Sequence, residues 1–362
     1  MGKINKIYLN NYRNFKSCKI TFNSGSNIFY GLNGSGKTNL LESISLLGKG
    51  RGFRNASLTN LILKEEKKFY IESEFEKDKN IYNLKVYNEE KENKYKKIRS
   101  INDEISKDSE DFIDSSLSFL FFLPEMERLF LSTPSFRRNF IDKLIFSENK
   151  NYNKLINKYK KNISERSKLL QINNYDIDWL DTIENEITKI SLKIYYERNK
   201  QIDILNKHMN LINKFNNHLF KATFSIKDNF YNNKIDFDIY KDGLKNSRLI
   251  DSKIGGSAIG PHKSDFVAMV DKDTEASQLS TGQQKTLILL ILMAQCDYLI
   301  SNKNIKPILL FDEICSHLDD INRKILLELT DKFDIQFFFT GTDKTLFSFM
   351  STKVNFYNIT DL

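Results

Sequence analysis

The chain has 362 residues, 40% hydrophobic and 12% aromatic, enough for a sizeable core and too many for a single one, so a large domain with an insertion or two domains is expected. Its 55 Lys and Arg outweigh 47 Asp and Glu, leaving a net charge of +8 that suits an anionic partner. Cys18, Cys296 and Cys315 are odd in number and widely spaced with no C-x-x-C pair, which argues against a disulfide framework and a zinc site; without an apolar run near ~18 residues or an apolar leader, a cytoplasmic protein with no membrane partner is expected.

In chain order, Ile4 to Leu9 and Lys19 to Phe22 predict two short strands around Asn10-Asn11-Tyr12-Arg13-Asn14, a hairpin leading into a third strand at Ile28, Phe29 and Tyr30. There follows Gly31-Leu32-Asn33-Gly34-Ser35-Gly36-Lys37-Thr38-Asn39, then a helix with Leu40, Leu41, Ile44 and Leu47 at helical spacing until Gly48. Strand, glycine loop and helix are the context of a P-loop. The glycines let successive N–H groups turn toward phosphate oxygens at a helix N-terminus, Lys37 reaches the β- and γ-phosphates, and the Thr38 hydroxyl serves magnesium. Gly31 through Asn39 are therefore the expected ATP cradle. The basic loop Gly48 to Arg54 reads either as a connector or as a nucleotide-sensing loop. Alternating apolar residues between Phe69 and Ile98 predict antiparallel strands, and Phe119 to Leu123 a buried strand ended by Pro124.

The period then changes to helical. Thr133-Pro134 opens a helix as cap and first-turn proline. Tyr152, Leu155, Ile156, Tyr159 and Ile163 share one face of a second helix, with Lys150, Lys154, Lys161 and Lys168 opposite and Lys158 near the edge. A further helix with Ile183, Ile187, Ile190, Ile194, Leu205, Met209 and Ile212 returns after the joining residues Gln171 to Tyr175, which predicts an antiparallel hairpin. Residues 150–173 hold seven Lys or Arg against one Glu, whereas 176–221 balance at seven each. This basic face reads either as a solvated surface or as a contact for the phosphate backbone of DNA. Alternation returns at Ile235, Phe237 and Ile239, and Gly255-Gly256 and Gly260-Pro261-His262-Lys263-Ser264-Asp265 predict loops before a strand at Phe266 to Val270.

Leu279-Ser280-Thr281-Gly282-Gln283-Gln284-Lys285 precedes a strongly apolar helix; its hydroxyl, free N–H groups and positive dipole end suit a γ-phosphate. Asp312 follows Ser280 by 32 residues, at the end of the apolar strand Ile308 to Phe311. There Asp312 can hold hydrated magnesium and Glu313 can orient and deprotonate the attacking water. Ser316-His317-Leu318-Asp319 follows, and a last strand, Ile335 to Phe339, runs into Thr340.

In this order the motifs define an α/β protein with an ABC-type P-loop ATPase head, a mixed sheet with an antiparallel β layer, and an inserted, mainly helical second lobe with a short antiparallel hairpin. The expected boundaries are 1–130 and 226–362 for the head and 131–225 for the helical lobe. Lys37, Asp312 and Glu313 are the expected catalytic set, with Thr38 and Asp312 at the metal. In such heads Ser280, Gly282 and Gln283, with Asp319, complete the ATP site of a second copy, so an ATP-dependent homodimer is expected.

Within that class the chain resembles the RecF family of bacterial recombinational repair proteins over almost its whole length. Leu9 to Phe15, Gly31 to Glu42, Leu123-Pro124-Glu125, Arg137-Arg138, Gly260-Pro261-His262-Lys263 and the motifs at Leu279 to Lys285 and Asp312 to Asp319 carry the resemblance. It implies an SMC-like head, ATP-dependent dimerisation, binding of single- and double-stranded DNA, a weak DNA-stimulated ATPase, and action with RecO and RecR in loading RecA at gaps during DNA repair, replication and the SOS response. Only through this resemblance are His262 and Asp265 placed near the site. Gly52 stands where many members have Ser, and Thr340 where transporter ATPases place a switch histidine. A transporter ATPase subunit is the competing reading, but there the Ser-Gly-Gln motif follows the P-loop far more closely than the 243 residues between Lys37 and Ser280. A different SMC-like DNA clamp is the other; two helical arms of roughly 20 to 40 residues, at 1.5 Å per residue, exclude a long filament.

Overall fold

The computed structural model describes residues 2–91, 94–172, 176–215, 221–232, 235–316, 318–350 and 354–361. Alternating burial in the first hundred residues builds an antiparallel sheet. Its strands are interrupted in the chain by the phosphate-loop unit: β1 (Lys3–Tyr12), β2 (Phe15–Thr21), β3 (Ser26–Tyr30), α1 (Lys37–Leu46), β4 (Tyr70–Lys77), β5 (Asn80–Lys91), β6 (Lys94–Ile101), α2 (Lys107–Ser116) and β7 (Phe119–Phe122). The antiparallel order is β2-β1-β4-β5-β6. Ile4, Ile7, Leu9 and Tyr12 of β1 are buried, while Lys6, Tyr8 and Asn10 line up opposite Glu74, Glu72 and Tyr70 on the outer face. The N-terminal hairpin therefore enters this sheet and not the one that holds β3.

Pro134 begins the helical part: α3 (Pro134–Glu148), α4 (Tyr152–Leu170), α5 (Ile177–Phe215), β8 (Ala222–Lys227), α6 (Phe237–Ile254), β9 (Asp265–Val270) and β10 (Thr274–Glu275). Thr133 caps α3, its Oγ1 accepting from the Phe136 N–H. In α5 the buried Ile183, Ile187, Ile190, Ile194, Leu205, Met209 and Ile212 form one stripe, which packs in part on Tyr152, Tyr159, Tyr240 and Leu244. Of the joining residues, 173–175 lie outside the described residues. The alternation at Ile235, Phe237 and Ile239 is not a strand. Asp236 caps α6 by accepting from the Ile239 N–H at 3.0 Å, Tyr240, Leu244, Ser247 and Asp251 form its buried stripe, and Gly255 ends it in the left-handed region. Three apolar residues at spacing two were too short a sample to outweigh the cap and the four-three-four burial pattern.

The chain then completes the first unit with α7 (Thr281–Lys303), β11 (Ile308–Phe311), α8 (Asp320–Lys332), β12 (Phe337–Gly341) and β13 (Val354–Asn358). Its second sheet has the order β13-β3-β12-β11-β7, and every pairing in it is parallel. The continuous apolar runs Ile308-Leu309-Leu310-Phe311 and Phe337-Phe338-Phe339 are buried along their whole length, as strands covered on both faces must be. The α7 residues from Gln284 to Cys296 are likewise buried all round. The fold is the α/β class expected, and among the described residues its pairings fall into three sheets: the parallel one, the antiparallel β2-β1-β4-β5-β6, and a small antiparallel β10-β9-β8.

The chain divides into two compact units, Met1–Glu127 with Thr281–Leu362, and Arg128–Ser280. The expected lobe boundary at 225 falls inside the second unit, and residues 226–280 belong to it and not to the head. The reason is local pairing: β8 pairs with β9 from Ala222–Val270 to Lys227–Asp265, and α6 packs in the cluster of α4 and α5.

Candidate nucleotide site

In the parallel sheet, β3, β12, β11 and β7 all run the same way, so the loops that leave their carboxyl ends gather along one edge. Tyr30 pairs with Gly341, and Phe311 with both Phe339 and Phe122. The edge therefore collects Gly31 onward, Asp312-Glu313, Thr340 and Leu123-Pro124-Glu125, which are distant in sequence.

The glycine loop is shaped by steric need. Gly36 has φ of +103°, and a Cβ there would lie 2.5 Å from Asn14 Nδ2. Asn14 in turn donates to the Ser35 carbonyl at 3.3 Å and accepts from Asn39 Nδ2 at 2.7 Å, so the Arg13-Asn14 turn of the hairpin braces the loop. The Lys37 ammonium donates to the Gly31 and Leu32 carbonyls, each at 2.8 Å, and lies inside the loop. Burial lowers its pKa, against the opposing pull of the Glu313 and Asp312 charges.

Thr38 Oγ1 donates to Asp312 Oδ1 at 3.0 Å, and Thr340 Oγ1 donates to the same oxygen at 2.7 Å. Two hard oxygen donors, one hydroxyl and one carboxylate, thus converge from α1 and the end of β11, a set that fits magnesium completed by phosphate and water. Among the described residues no group of three or more His, Cys, Asp or Glu could by itself hold a metal. Burial pushes the Asp312 carboxyl pKa up; the bonds from Thr340 and Thr38 and the charge of Arg54 pull it down, and Glu125 adds to the rise. An anion buried at such a cost is a natural seat for a cation. Thr340 also accepts from the Glu313 N–H at 2.8 Å. It thus ties the two carboxylate positions together, a role that its place at a strand end did not announce.

Behind the loop, Glu42 is fully buried and accepts from Arg13 Nη2 at 2.8 Å, Arg13 Nε at 3.0 Å and Tyr12 Oη at 3.2 Å. Arg54 Nη1 donates to Asn39 Oδ1 at 2.9 Å and lies 3.8 Å from Glu42. The basic loop is thereby joined to the phosphate-loop helix. Gly52 sits at φ of +72°, with Ser45 Oγ 2.8 Å from where a Cβ would stand, so a side chain there is strained in this chain. Sequence reasoning missed Lys97, whose ammonium donates to the Leu46, Gly48 and Gly50 carbonyls at 2.7, 2.8 and 2.7 Å. It caps the end of α1, and burial holds its pKa well below the usual lysine value.

The signature segment lies beside the loop after Glu313. Asn322 accepts from Thr286 Oγ1 at 3.0 Å and donates to the Gly282 carbonyl at 3.3 Å, while Asp319 Oδ1 caps α8 by accepting from Asn322 N–H at 2.8 Å. Ser280 and Gln283 stand at the start of α7, and Leu32, Asn33, Gly34 and Ser35 in the turn before α1. His317 lies outside the described residues.

In the second unit, the Arg137-Arg138 and Gly260 to Asp265 strings form one assembly. Arg137 clasps Asp265 in a bidentate pair at 2.7 and 2.6 Å, Arg138 donates to the Ser264 carbonyl at 2.6 Å, and Arg198, paired with Asp142, donates to the Pro261 carbonyl at 2.6 Å. His262 shares a 2.6 Å bond with Tyr159 Oη, and burial lowers its pKa. These contacts give His262 and Asp265 a structural role in that unit. On α4, Lys158 pairs with Glu186 at 2.8 Å and Lys150 stacks over Phe146. Lys154, Lys161 and Lys168 are exposed, and no ion pair engages them among the described residues.

Three comparisons set this geometry among known proteins. The family model described as "AAA domain, putative AbiEii toxin, Type IV TA system" matches residues 26–340. The "DNA replication and repair protein RecF" of Rickettsia canadensis is 32% identical over 351 residues, covering 94% of each chain. The solved "Structure of the recombination mediator protein RecF-ATPrS in RecFOR pathway" superposes with a TM-score of 0.84 at 26% identity, covering 99% of this chain and 97% of that one. The Smc head domain from Pyrococcus furiosus shares the fold, with a TM-score of 0.54 at 17% identity over 97% of this chain and 92% of its own.

Proposed function

The chain belongs to the RecF family, and from that premise we propose that it is an ATP-hydrolysing DNA-binding protein of recombinational repair and replication. The observation that carries the proposal is the convergence of Lys37, Thr38, Asp312 and Glu313 at one sheet edge, with Thr38 and Asp312 joined at 3.0 Å. In this reading the loop from Gly31 to Asn39 wraps the phosphates, Lys37 steadies the β- and γ-phosphates, and Thr38 and Asp312 hold magnesium. The metal would neutralise charge on the phosphates as it develops. Glu313 orients the attacking water and takes its proton. Ser280, Gly282, Gln283 and Asp319 serve the nucleotide of a second copy, so ATP assembles a homodimer and hydrolysis releases it.

DNA, both duplex and single-stranded, is held through its backbone, with Lys154, Lys161 and Lys168 as the first candidates for contact and Lys150 and Lys158 as lesser ones. The site of action is the single-strand gap or its junction, where RecO and RecR join and RecA is loaded; DNA stimulates a slow ATPase in the cytoplasm. Among the described residues no helix is long and apolar enough to cross a membrane. The test is Glu313→Gln in ATP followed by light scattering. The amide fills the same space without accepting a proton, so a dimer should accumulate with hydrolysis arrested. A variant that stays monomeric in ATP while the parent dimerises would remove Glu313 from this role.

A further inference from the structure

Lys285 is a buried cation with no part in these roles. It stands in the first turns of α7 and is 5% exposed. Its ammonium has three N–H donors, and three acceptors meet them: Glu127 Oε1 at 2.6 Å, the Ser316 carbonyl at 3.1 Å and the Ile314 carbonyl at 3.3 Å. Ile314 is the residue immediately after Glu313. Glu313 itself sits at φ of +50°, a conformation that a non-glycine residue keeps only when its surroundings impose it. On one side the imposition comes from Thr340, which accepts the Glu313 N–H. On the other side the Glu313 carbonyl accepts from the Ser316 N–H at 3.2 Å, and Lys285 holds the Ile314 and Ser316 carbonyls of that same turn.

Lys285 does not belong to the catalytic strand; it belongs to the helix that carries the signature segment. The same helix start is bonded through Thr286 and the Gly282 carbonyl to Asn322, next to the Asp319 cap. The chain after Glu313 is thus sewn to the start of α7 at two places. We propose that Lys285 is a positioning residue that couples the signature helix to Glu313, so that engagement of that helix by a second copy's nucleotide sets the geometry of hydrolysis in the first. The inference rests on the reading of Glu313 as the base. Movement of the helix start shifts the ammonium, and the carbonyls of Ile314 and Ser316 follow it. ATP binding by the phosphate loop uses none of these bonds, and so it is independent of Lys285.

The test separates rate from binding in the full chain. Lys285→Met keeps the length and burial of the side chain and removes all three donors, and Lys285→Gln, which keeps an amide donor, is measured alongside in case the methionine disturbs folding. Either variant should lose about 10- to 100-fold in kcat, the scale of a misplaced catalytic group, with ATP affinity held within about 2-fold. Combined with Glu313→Gln, each should still dimerise in ATP. Lys285→Arg, which keeps charge and donors, should restore most of the rate. A parental kcat in the folded variants overturns the coupling, as does an ATP affinity or dimerisation that falls as far as the rate, or an arginine variant as slow as the methionine. If Glu313→Gln alone hydrolyses ATP normally, the base assignment fails. If that variant is inactive while Lys285→Met is fast, only the coupling fails.

Discussion

Replacing Thr340 by Val removes one hydroxyl and keeps the shape of the side chain, at a residue that is 0% exposed. Two bonds go with it: the 2.7 Å bond to Asp312 Oδ1 and the 2.8 Å bond from the Glu313 N–H. A bond to an ionised group contributes about 1.5 to 3 kcal/mol, and a buried N–H left unpaired costs about 1 to 3 kcal/mol. The unpaired N–H is that of Glu313, whose φ of +50° then loses its upstream restraint. Because the Glu313 N–H is only part-buried, its loss falls at the low end of that range, and Thr340→Val should lower unfolding free energy by about 2 kcal/mol or more and slow single-turnover hydrolysis. Thr340→Ser is the control. It keeps both bonds and loses one methyl, worth about 0.8 kcal/mol, and should hydrolyse ATP close to the parental rate. The assays are urea unfolding and rapid-quench hydrolysis with enzyme in excess over ATP. If Val and Ser variants were equally stable, or if Val hydrolysed ATP as fast as the parent, Thr340 would not be the tie between Asp312 and Glu313.

Four further outcomes are expected. Lys37→Ala should abolish ATP binding in an equilibrium titration, since no other residue of the loop brings a mobile cation to the phosphates. Ser280→Arg should bind ATP as a monomer but not dimerise, and mixing it with Lys37→Ala should regain partial ATPase, because one composite site then joins two intact elements; no activity in proven mixed dimers would count against shared sites. Burial raises the Asp312 pKa above its unfolded value, so its contribution favours the fold below about pH 3.9 and is lost as pH rises through the raised folded value. In chelator and without nucleotide, Asp312→Asn should consequently melt higher than the parent at pH 7, with the gap closing toward pH 4; a lower melting temperature at pH 7 would contradict this. Changing Lys154, Lys161 and Lys168 together to Ala should flatten the log–log salt dependence of duplex binding by up to about 2.7, at roughly 0.9 for each phosphate no longer neutralised, and an unchanged slope would return that face of α4 to solvent.

What the sequence determined by itself is what local chemistry encodes. The glycine loop with Lys37 and Thr38, the apolar strand before Asp312-Glu313, the Thr133-Pro134 cap and the lysine-rich face of α4 are each written within a short window, because phosphate cradling, strand burial, capping and helical periodicity act over a few residues. Order along the chain added the class of head. The tertiary structure decided the rest, because it depends on which distant segments meet. Parallel pairing of β3, β12, β11 and β7 brought Thr340 and Glu125 to the nucleotide edge. Folding of the antiparallel sheet set Lys97 under the end of α1, and the pairing of β8 with β9 drew residues 226–280 away from the head. The short alternation at 235–239 was overruled by the Asp236 cap and by burial against α4 and α5. Lys158 is paired at 2.8 Å with Glu186, on the facing helix 28 positions away. A side chain's partner across a helix pair or a sheet edge is a property of packing, and no spacing rule within a single element contains it.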